Sequence, residues 1–305
     1  MDVRQLEMFR AVVEAGSFTA AAHRLHVSQS AISRQLKLLE EELGTLLLER
    51  TGRGVNLTPE GHILLTAANR IWRDMQEVVA QIADTQKLQR GAVSLGGGMT
   101  VCLHVLPRLL KKFHTLYRNI DLRVTTGTAP DLLRSLRDHE IDLLLLTLPI
   151  LGDDLEVRPV LKEEMVVVTA KNHELTRTRT IEPEAVTHEP LILFESGSNT
   201  RRVVDDLFLE RKIGVNVVME TENVEIIKAM VANGLGVTIL PYGAIAPDVR
   251  SGRFAWARMR GARLYRETGW VYLKSAHRRR AIDEVLRVFD EMKEQFGGRP
   301  PGGGR

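Results

Sequence analysis

An α-helical N-terminal region joined to a larger α/β region is the fold class that the sequence predicts. Three observations carry it. Up to about residue 90 the apolar residues repeat at helical spacing, with one short interruption. Beyond Gly91, short β-rich runs alternate with amphipathic helical runs. The 305 residues, 44% of them hydrophobic, suffice for about two domains with real cores.

Composition also excludes several classes. The longest apolar run, near Leu143 to Leu151, falls far short of the ~18 residues that cross a bilayer. The start, Met1-Asp2-Val3-Arg4-Gln5, carries no basic segment followed by an apolar stretch, so no secretory signal is expected and a cytoplasmic location follows. Cys102 is the single cysteine, which rules out an intrachain disulfide and any cluster needing several thiolates. A net charge of only +3 means that any anion must be bound by a local patch and not by a global field.

The first helix is expected over Val3 to Ala15, where Leu6, Phe9 and Val13 form one buried stripe and Gly16 ends it. Ser17 caps a short second helix holding Phe18, Ala21, Ala22 and Leu25, whose small alanines let another helix approach closely. His26-Val27 make a tight turn, and Ser28 caps a third helix, Gln29 to Leu43, closed by Gly44. Ile32, Leu36, Leu39 and Leu43 of that helix must face the core. Ser30, Ser33, Arg34 and Lys37 share the opposite side, with Gln29 at its N-terminal end; each can donate to phosphate or to a base edge. Two helices joined by a short turn, the second with an acid-free outer face, form a helix-turn-helix; a helical hairpin with a solvated face is the alternative.

Leu48 to Leu57 reads as a hairpin with Arg53 at its tip, a wing that places Arg50 and Arg53 near a backbone or minor groove. An ordinary surface turn is the competing reading. Thr58-Pro59-Glu60-Gly61 then starts a helix, with Thr as N-cap, Pro in the first position and Glu in the first turn. It runs to about Gln89, and Leu64, Ala68, Ile71, Met75, Val78 and Ile82 step along it by 4, 3, 4, 3 and 4 residues. That seam fits a second copy of the helix, or a groove in its own chain.

These segments resemble one family. Leu6-Glu7-Met8-Phe9, Gly16-Ser17-Phe18-Thr19-Ala20-Ala21-Ala22, Val27-Ser28-Gln29-Ser30-Ala31-Ile32-Ser33, Leu38-Leu39-Glu40-Glu41-Glu42-Leu43-Gly44, Leu48-Glu49-Arg50 and Leu57-Thr58-Pro59-Glu60-Gly61 strongly resemble the LysR-type transcriptional regulators. The remainder matches more loosely, through Gly234 to Pro241. The resemblance implies a winged helix-turn-helix over 1–60, a dimerising linker helix over 61–90 and a two-lobed, periplasmic-binding-protein-like effector domain over 91–296. Lobe I would take about 91–163 and 267–296, and lobe II about 164–266; the Gly/Pro-rich 297–305 is expected to be disordered. The implied partners are a double-stranded DNA operator bound through Ser28, Gln29, Ser30, Ser33, Arg34, Lys37, Arg50 and Arg53, a small effector, and further copies of the chain. These would form a homodimer through the linker helix and a homotetramer overall. RNA polymerase is a further candidate partner. No cofactor, metal or membrane is implied.

Three strand-to-helix corners could hold the effector: Gly96 to Thr100, Thr125 to Thr128, and Glu195 to Arg201. Glycine lets backbone N–H groups approach, hydroxyls add donors, and helix N-termini favour an anion such as a carboxylate. Met99, Thr100, Thr126, Thr128, Ser196, Ser198 and Thr200 are the candidate contacts, with plain helix capping as the alternative at each. Arg201 is the one guanidinium near a corner, unless it points to solvent.

Other features weigh less. Arg250, Arg253, Arg258, Arg260, Arg263, Arg266, Lys274, Arg278, Arg279 and Arg280 crowd a stretch whose only acid is Glu267, which suggests a solvated surface or subunit contact more than a second DNA contact. Cys102 reads as a small core residue, and the two-cysteine chemistry of the family's peroxide sensors is excluded. The nine histidines lack metal-ligand spacing. An enzyme would need a nucleophile, base or cofactor loop, and none stands out; a solute-binding protein would leave residues 1–90 without a purpose.

Overall fold

The computed structural model describes residues 1–51, 54–83, 91–262, 264–274, 280–296, 298 and 300–301. They fall into two compact units, the first made of the described residues up to 83 together with Asp138–Glu140 and the second of the remainder.

In the first unit, local signals set the elements. Helix α1 (Val3–Ala15) starts at a capping box: the Asp2 carboxylate accepts the Gln5 N–H at 2.8 Å, and the Gln5 side chain accepts the Asp2 N–H at 3.0 Å. Helices α2 (Phe18–Leu25) and α3 (Gln29–Leu43) are capped by Ser17 and Ser28, and α1 and α3 end at Gly16 and Gly44, with φ of 62° and 70°. Strands β1 (Leu48–Thr51) and β2 (Gly54–Leu57) pair antiparallel. The long helix α4 (Pro59–Ala83) follows. Phe9, Val12, Ala21, Ile32, Leu36, Leu39 and Leu47 close one core over which Leu64 and Leu65 of α4 pack. Leu43, expected in that core, is 41% exposed; as the residue before the cap glycine it lies beyond the last helix packed against α3.

The second unit begins with β3 (Gly91–Gly97), α5 (Met99–His104), α6 (Leu106–Leu116), β4 (Ile120–Thr126), α7 (Ala129–Arg137) and β5 (Leu143–Thr147). β3 lies between β4 and β5 and is parallel to both. β5 is a continuous apolar run because both its faces are covered: Leu143 and Leu145 enter the core against α6, and Leu144 and Leu146 that against α7. Then come β6 (Leu155–Ala170), β7 (Thr180–Ile181), β8 (Pro190–Leu193), α8 (Asn199–Glu210), β9 (Asn216–Glu220) and α9 (Val224–Ala232). The unit closes with β10 (Thr238–Pro241), α10 (Tyr242–Arg250), β11 (Phe254–Met259), β12 (Tyr265–Leu273) and α11 (Arg280–Met292).

β6 joins two lobes. Its first part, Leu155–Glu164, pairs antiparallel with β12, which continues to β5; its second part, Met165–Ala170, pairs with β10 and β11. The sheet is therefore mixed, with β3, β4 and β5 parallel and the pairs made by β6, β10, β11 and β12 antiparallel, apart from the short parallel pair of β11 with β7. Separate cores flank each half, with Trp270 and Phe289 in one lobe and Trp256 and Ile239 in the other.

In the crowded basic stretch Arg250, Arg253, Arg260, Lys274 and Arg280 are exposed, as a solvated surface would have it, but Arg266 and Arg258 are not. Arg266 is buried against Glu163, and Arg258, Arg253 and Arg260 pair with Glu164, Asp248 and Glu182. Arg263, Arg278 and Arg279 lie outside the described residues. Of the tail, Pro300 is buried, and the carbonyls of Pro300 and Pro301 accept Arg258 N–H groups at 3.0 and 3.3 Å.

Candidate nucleic-acid interface and effector cleft

The outer face of α3 is built by its register. With Ile32, Leu36 and Leu39 fully buried, Gln29, Ser30, Arg34 and Lys37 are exposed and Ser33 half-buried on the other side. Lys37 reaches back to Glu41 at 3.7 Å, an exposed pair that leaves the ammonium in water. Ser28 is less free: its hydroxyl accepts the Ala31 N–H at 3.2 Å and lies 3.0 Å from the Ser30 hydroxyl, so it positions the helix start. Arg50 lies in β1 opposite Val55, its side chain outside the described residues, as Arg53 is altogether.

Sequence reasoning missed what holds the wing to α3. The Glu40 carboxylate accepts the N–H groups of Leu47 and Leu48 at 2.8 and 3.3 Å. On the other side of the same segment, Thr58 donates its hydroxyl to the Leu46 carbonyl at 2.7 Å and its N–H to the Leu47 carbonyl at 3.1 Å. A Cβ at Gly61 would stand 2.2 Å from that Leu47 oxygen, so only glycine lets α4 leave so close to the wing. The Thr-Pro-Glu-Gly motif thus fixes the wing as well as starting a helix.

Along α4, the expected seam splits. Leu64 and Ala68 turn inward, Ala68 fully buried, and Ile71 is half-buried. Met75 and Val78 are 43% and 54% exposed. The side chain of Ile82 lies outside the described residues.

In the second unit the carboxyl ends of β3, β4 and β5 lie together, because Gly97 pairs with both Thr126 and Leu145. Met99 and the buried Thr100 start α5 beside them, and Thr126 is exposed. Thr128 is spent on capping: its hydroxyl donates to Asp131 at 2.6 Å and accepts the Asp131 N–H at 3.4 Å. Ser198 caps α8 through the Arg201 N–H at 3.2 Å, while Ser196 is exposed. Thr200 brings the lobes together, its hydroxyl 3.2 Å from that of Thr147. Asn199 completes the contact by donating to the carbonyls of Thr147 and Pro149 at 2.8 and 2.9 Å. Thr147 and Asn199 were not singled out from sequence; no local pattern links a strand end to a helix start so far along the chain.

Arg201 neither faces a ligand nor points to solvent. Its guanidinium is buried, donating to Asp205 at 2.7 Å, Glu220 at 2.7 Å and the Phe194 carbonyl at 2.8 Å. The Arg201 guanidinium is therefore not available to an anion at this corner. Cys102 donates to the Gly97 carbonyl at 3.3 Å, and burial pushes its thiol up to about 11, far from a reactive thiolate. Among the described residues, no three His, Cys, Asp or Glu side chains converge as a metal site, and no helix is long and apolar enough to cross a membrane.

A capped helix pair with an exposed polar outer face, a wing and a two-lobed α/β unit occur together in known proteins. Residues 3–62 match the bacterial regulatory helix-turn-helix protein, lysR family, and residues 86–293 match the LysR substrate binding domain. The chain belongs to the LysR family of transcriptional regulators. The HTH-type transcriptional activator CmpR of Synechocystis is 34% identical over 90% of this chain and 90% of its own length. The regulator CfxR of Cupriavidus necator is 29% identical over 99% of this chain and 95% of its own. Among solved structures, full-length OxyR from Pseudomonas aeruginosa superposes with a TM-score of 0.78 at 25% identity, covering 99% of each chain. CbnR complexed with its target DNA gives 0.71 at 26% identity, covering 97% of this chain and 99% of that one. The LysR-family relatives are regulators and not enzymes, and the DNA-binding and substrate-binding regions of this protein are those of its family.

Proposed function

We propose that this LysR-family protein regulates transcription in response to a small anion bound between its lobes. The observation that carries this reading is the inter-lobe contact of Thr147 with Thr200 and Asn199, at the end of β5 and the start of α8. An anion at the N-terminus of α8 gains the helix dipole and free N–H groups, and it changes the contact that sets the lobes against each other. Thr100, Thr126 and Ser196 supply further donors, with Met99 beside them. Thr128 and Ser198 hold their helices in place, and the effector meets their backbone more than their hydroxyls.

The output is DNA binding. Gln29, Ser30, Ser33, Arg34 and Lys37 enter the major groove, Ser28 fixes the helix start, and Arg50 and Arg53 grip the backbone. Two copies joined through Met75 and Val78 present two such helices to an operator, and two dimers make a tetramer. Only a difference in affinity for the two lobe arrangements can turn effector binding into a change at the operator.

A thermal-shift screen of the full chain against small carboxylates and phosphorylated metabolites tests the cleft. A binder raises the unfolding temperature by mass action, and Thr200→Val, which keeps shape and removes the hydroxyl, weakens the shift. A hit whose shift is unchanged in Thr200→Val and Asn199→Ala places the ligand elsewhere.

A further inference from the structure

Helix α5 has two ends with different company. Thr100 stands at its start, near the cleft; His104 is its last residue, and α9 and α10 of the other lobe reach it there. The His104 Nε2 lies 3.6 Å from Glu225 Oε1, beyond hydrogen-bond range, and is buried without a hydrogen-bond partner among the described residues.

The charged groups facing this imidazole come from four elements. Glu225 and Lys228 lie on α9, with Asp248 of α10 behind Lys228; Glu163 lies on β6 and Arg266 on β12. Every carboxylate among them already has a cation. Lys228 holds Asp248 at 2.6 Å and Glu225 at 2.9 Å, Arg253 also reaches Asp248 at 3.5 Å, and Arg266 holds Glu163 at 2.5 Å where β6 and β12 pass between the lobes, so three carboxylates face three cations. A proton on His104 would add another positive charge to a half-buried cluster with no uncommitted anion to offset its desolvation.

We propose that His104 is a proton-sensitive latch between the lobes. Neutral, it lets α5 seat against α9 and α10; protonated, it shifts the lobes toward an arrangement in which the imidazole reaches water. Burial, and then Lys228, hold the His104 pKa below its usual 6.5 in the seated arrangement, outweighing Glu225 and Glu163. The sign follows by linkage. The seated arrangement binds the proton more weakly, so its advantage is complete above 6.5 and is lost as pH falls below that value. What the latch regulates rests on the cleft reading above; the latch itself does not need an effector to be seen.

Hydrogen exchange of the full chain without effector, compared at near-neutral and mildly acidic pH after correction for intrinsic rates, tests it. Segments 99–105, 224–232 and 242–250 should lose protection severalfold on acidification, while α3 stays constant. His104→Gln cannot take the proton and should show no such loss. Glu225→Gln removes the carboxylate that favours the proton in the seated arrangement, so its loss should begin at the same pH as in wild type but continue to lower pH and reach a greater depth. Equal acid loss in His104→Gln and wild type, no loss in wild type, or a loss in Glu225→Gln no deeper than in wild type would overturn the latch. Because no ligand is added, these outcomes leave the cleft reading untouched, and a failed ligand screen leaves the latch standing.

Discussion

Arg201 donates to Glu220 at 2.7 Å, tying the first turn of α8 to the end of β9. Glu220 also accepts the Ser196 N–H at 3.3 Å, so one carboxylate fixes both the loop before α8 and the helix itself. The start of α8 is thereby held by internal charge, with its remaining N–H groups left for a ligand. Arg201→Met should lower stability by about 1–2 kcal/mol, discounted because Asp205 and Glu220 keep contact with water. The pH dependence has a definite sign. Hydrogen bonding by Arg201, and then by the Ser196 N–H, holds the Glu220 carboxyl below the usual carboxylate range. Its contribution is complete above that range and is lost as pH falls through the lowered value. Unfolding midpoints measured across acidic pH should show a smaller acid dependence in Arg201→Met; an identical dependence would mean the pair contributes nothing.

Glu40 controls the wing from inside α3. Ala in its place leaves the Leu47 and Leu48 N–H groups without their acceptor, at a cost of about 1–3 kcal/mol. Glu40→Gln keeps an acceptor oxygen and should recover most of the loss. Glu40→Ala should also weaken binding to operator and non-operator DNA alike, because it moves the wing and leaves the base-reading face intact. A selective loss on the operator alone, measured by titration at fixed salt, contradicts that role.

How much of this was legible in the sequence depends on the range of the interaction. Helices α1 to α3 could be placed because each is fixed by its own caps, Asp2, Ser17 and Ser28 at the starts and Gly16 and Gly44 at two ends. β6 could not. Pro159 and the charged run Lys162-Glu163-Glu164 interrupt its apolar pattern, yet Pro159 lies opposite Gly269 at a register shift, where the ladder is already irregular. Glu163 and Glu164 are tolerated because Arg266 and Arg258 meet them where the strand changes partners. The same limit holds at the site. Hydroxyls at corners are visible locally, but whether Thr128 caps a helix or Thr200 meets Thr147 is decided by residues far along the chain.

Arg34 and Lys37 separate base reading from backbone attraction. Arg34→Ala should cost ~1–3 kcal/mol on the operator and relax preference at one base pair, as loss of a bidentate contact does. Lys37→Ala should weaken every sequence by a similar factor and make binding less salt-dependent. Binding isotherms at several salt concentrations distinguish the two. If Arg34→Ala lowers all sequences equally, that guanidinium holds phosphate and reads no base.

Met75 and Val78 lie one turn apart on α4 and leave an apolar strip in water, whereas Leu64 earlier on the helix packs on the core of the winged unit and Ala68 is buried. Exposed apolar residues at coiled-coil spacing favour pairing with a second copy of the helix, which removes that strip from water. Met75→Lys would bury an ammonium in such a contact and should dissociate the dimer, while Met75→Leu should preserve it. The winged unit should stay folded in both, because neither side chain belongs to its core. Sedimentation over a range of low concentrations reads the result directly. A Met75→Lys protein that sediments as wild type would place the dimer contact on another surface.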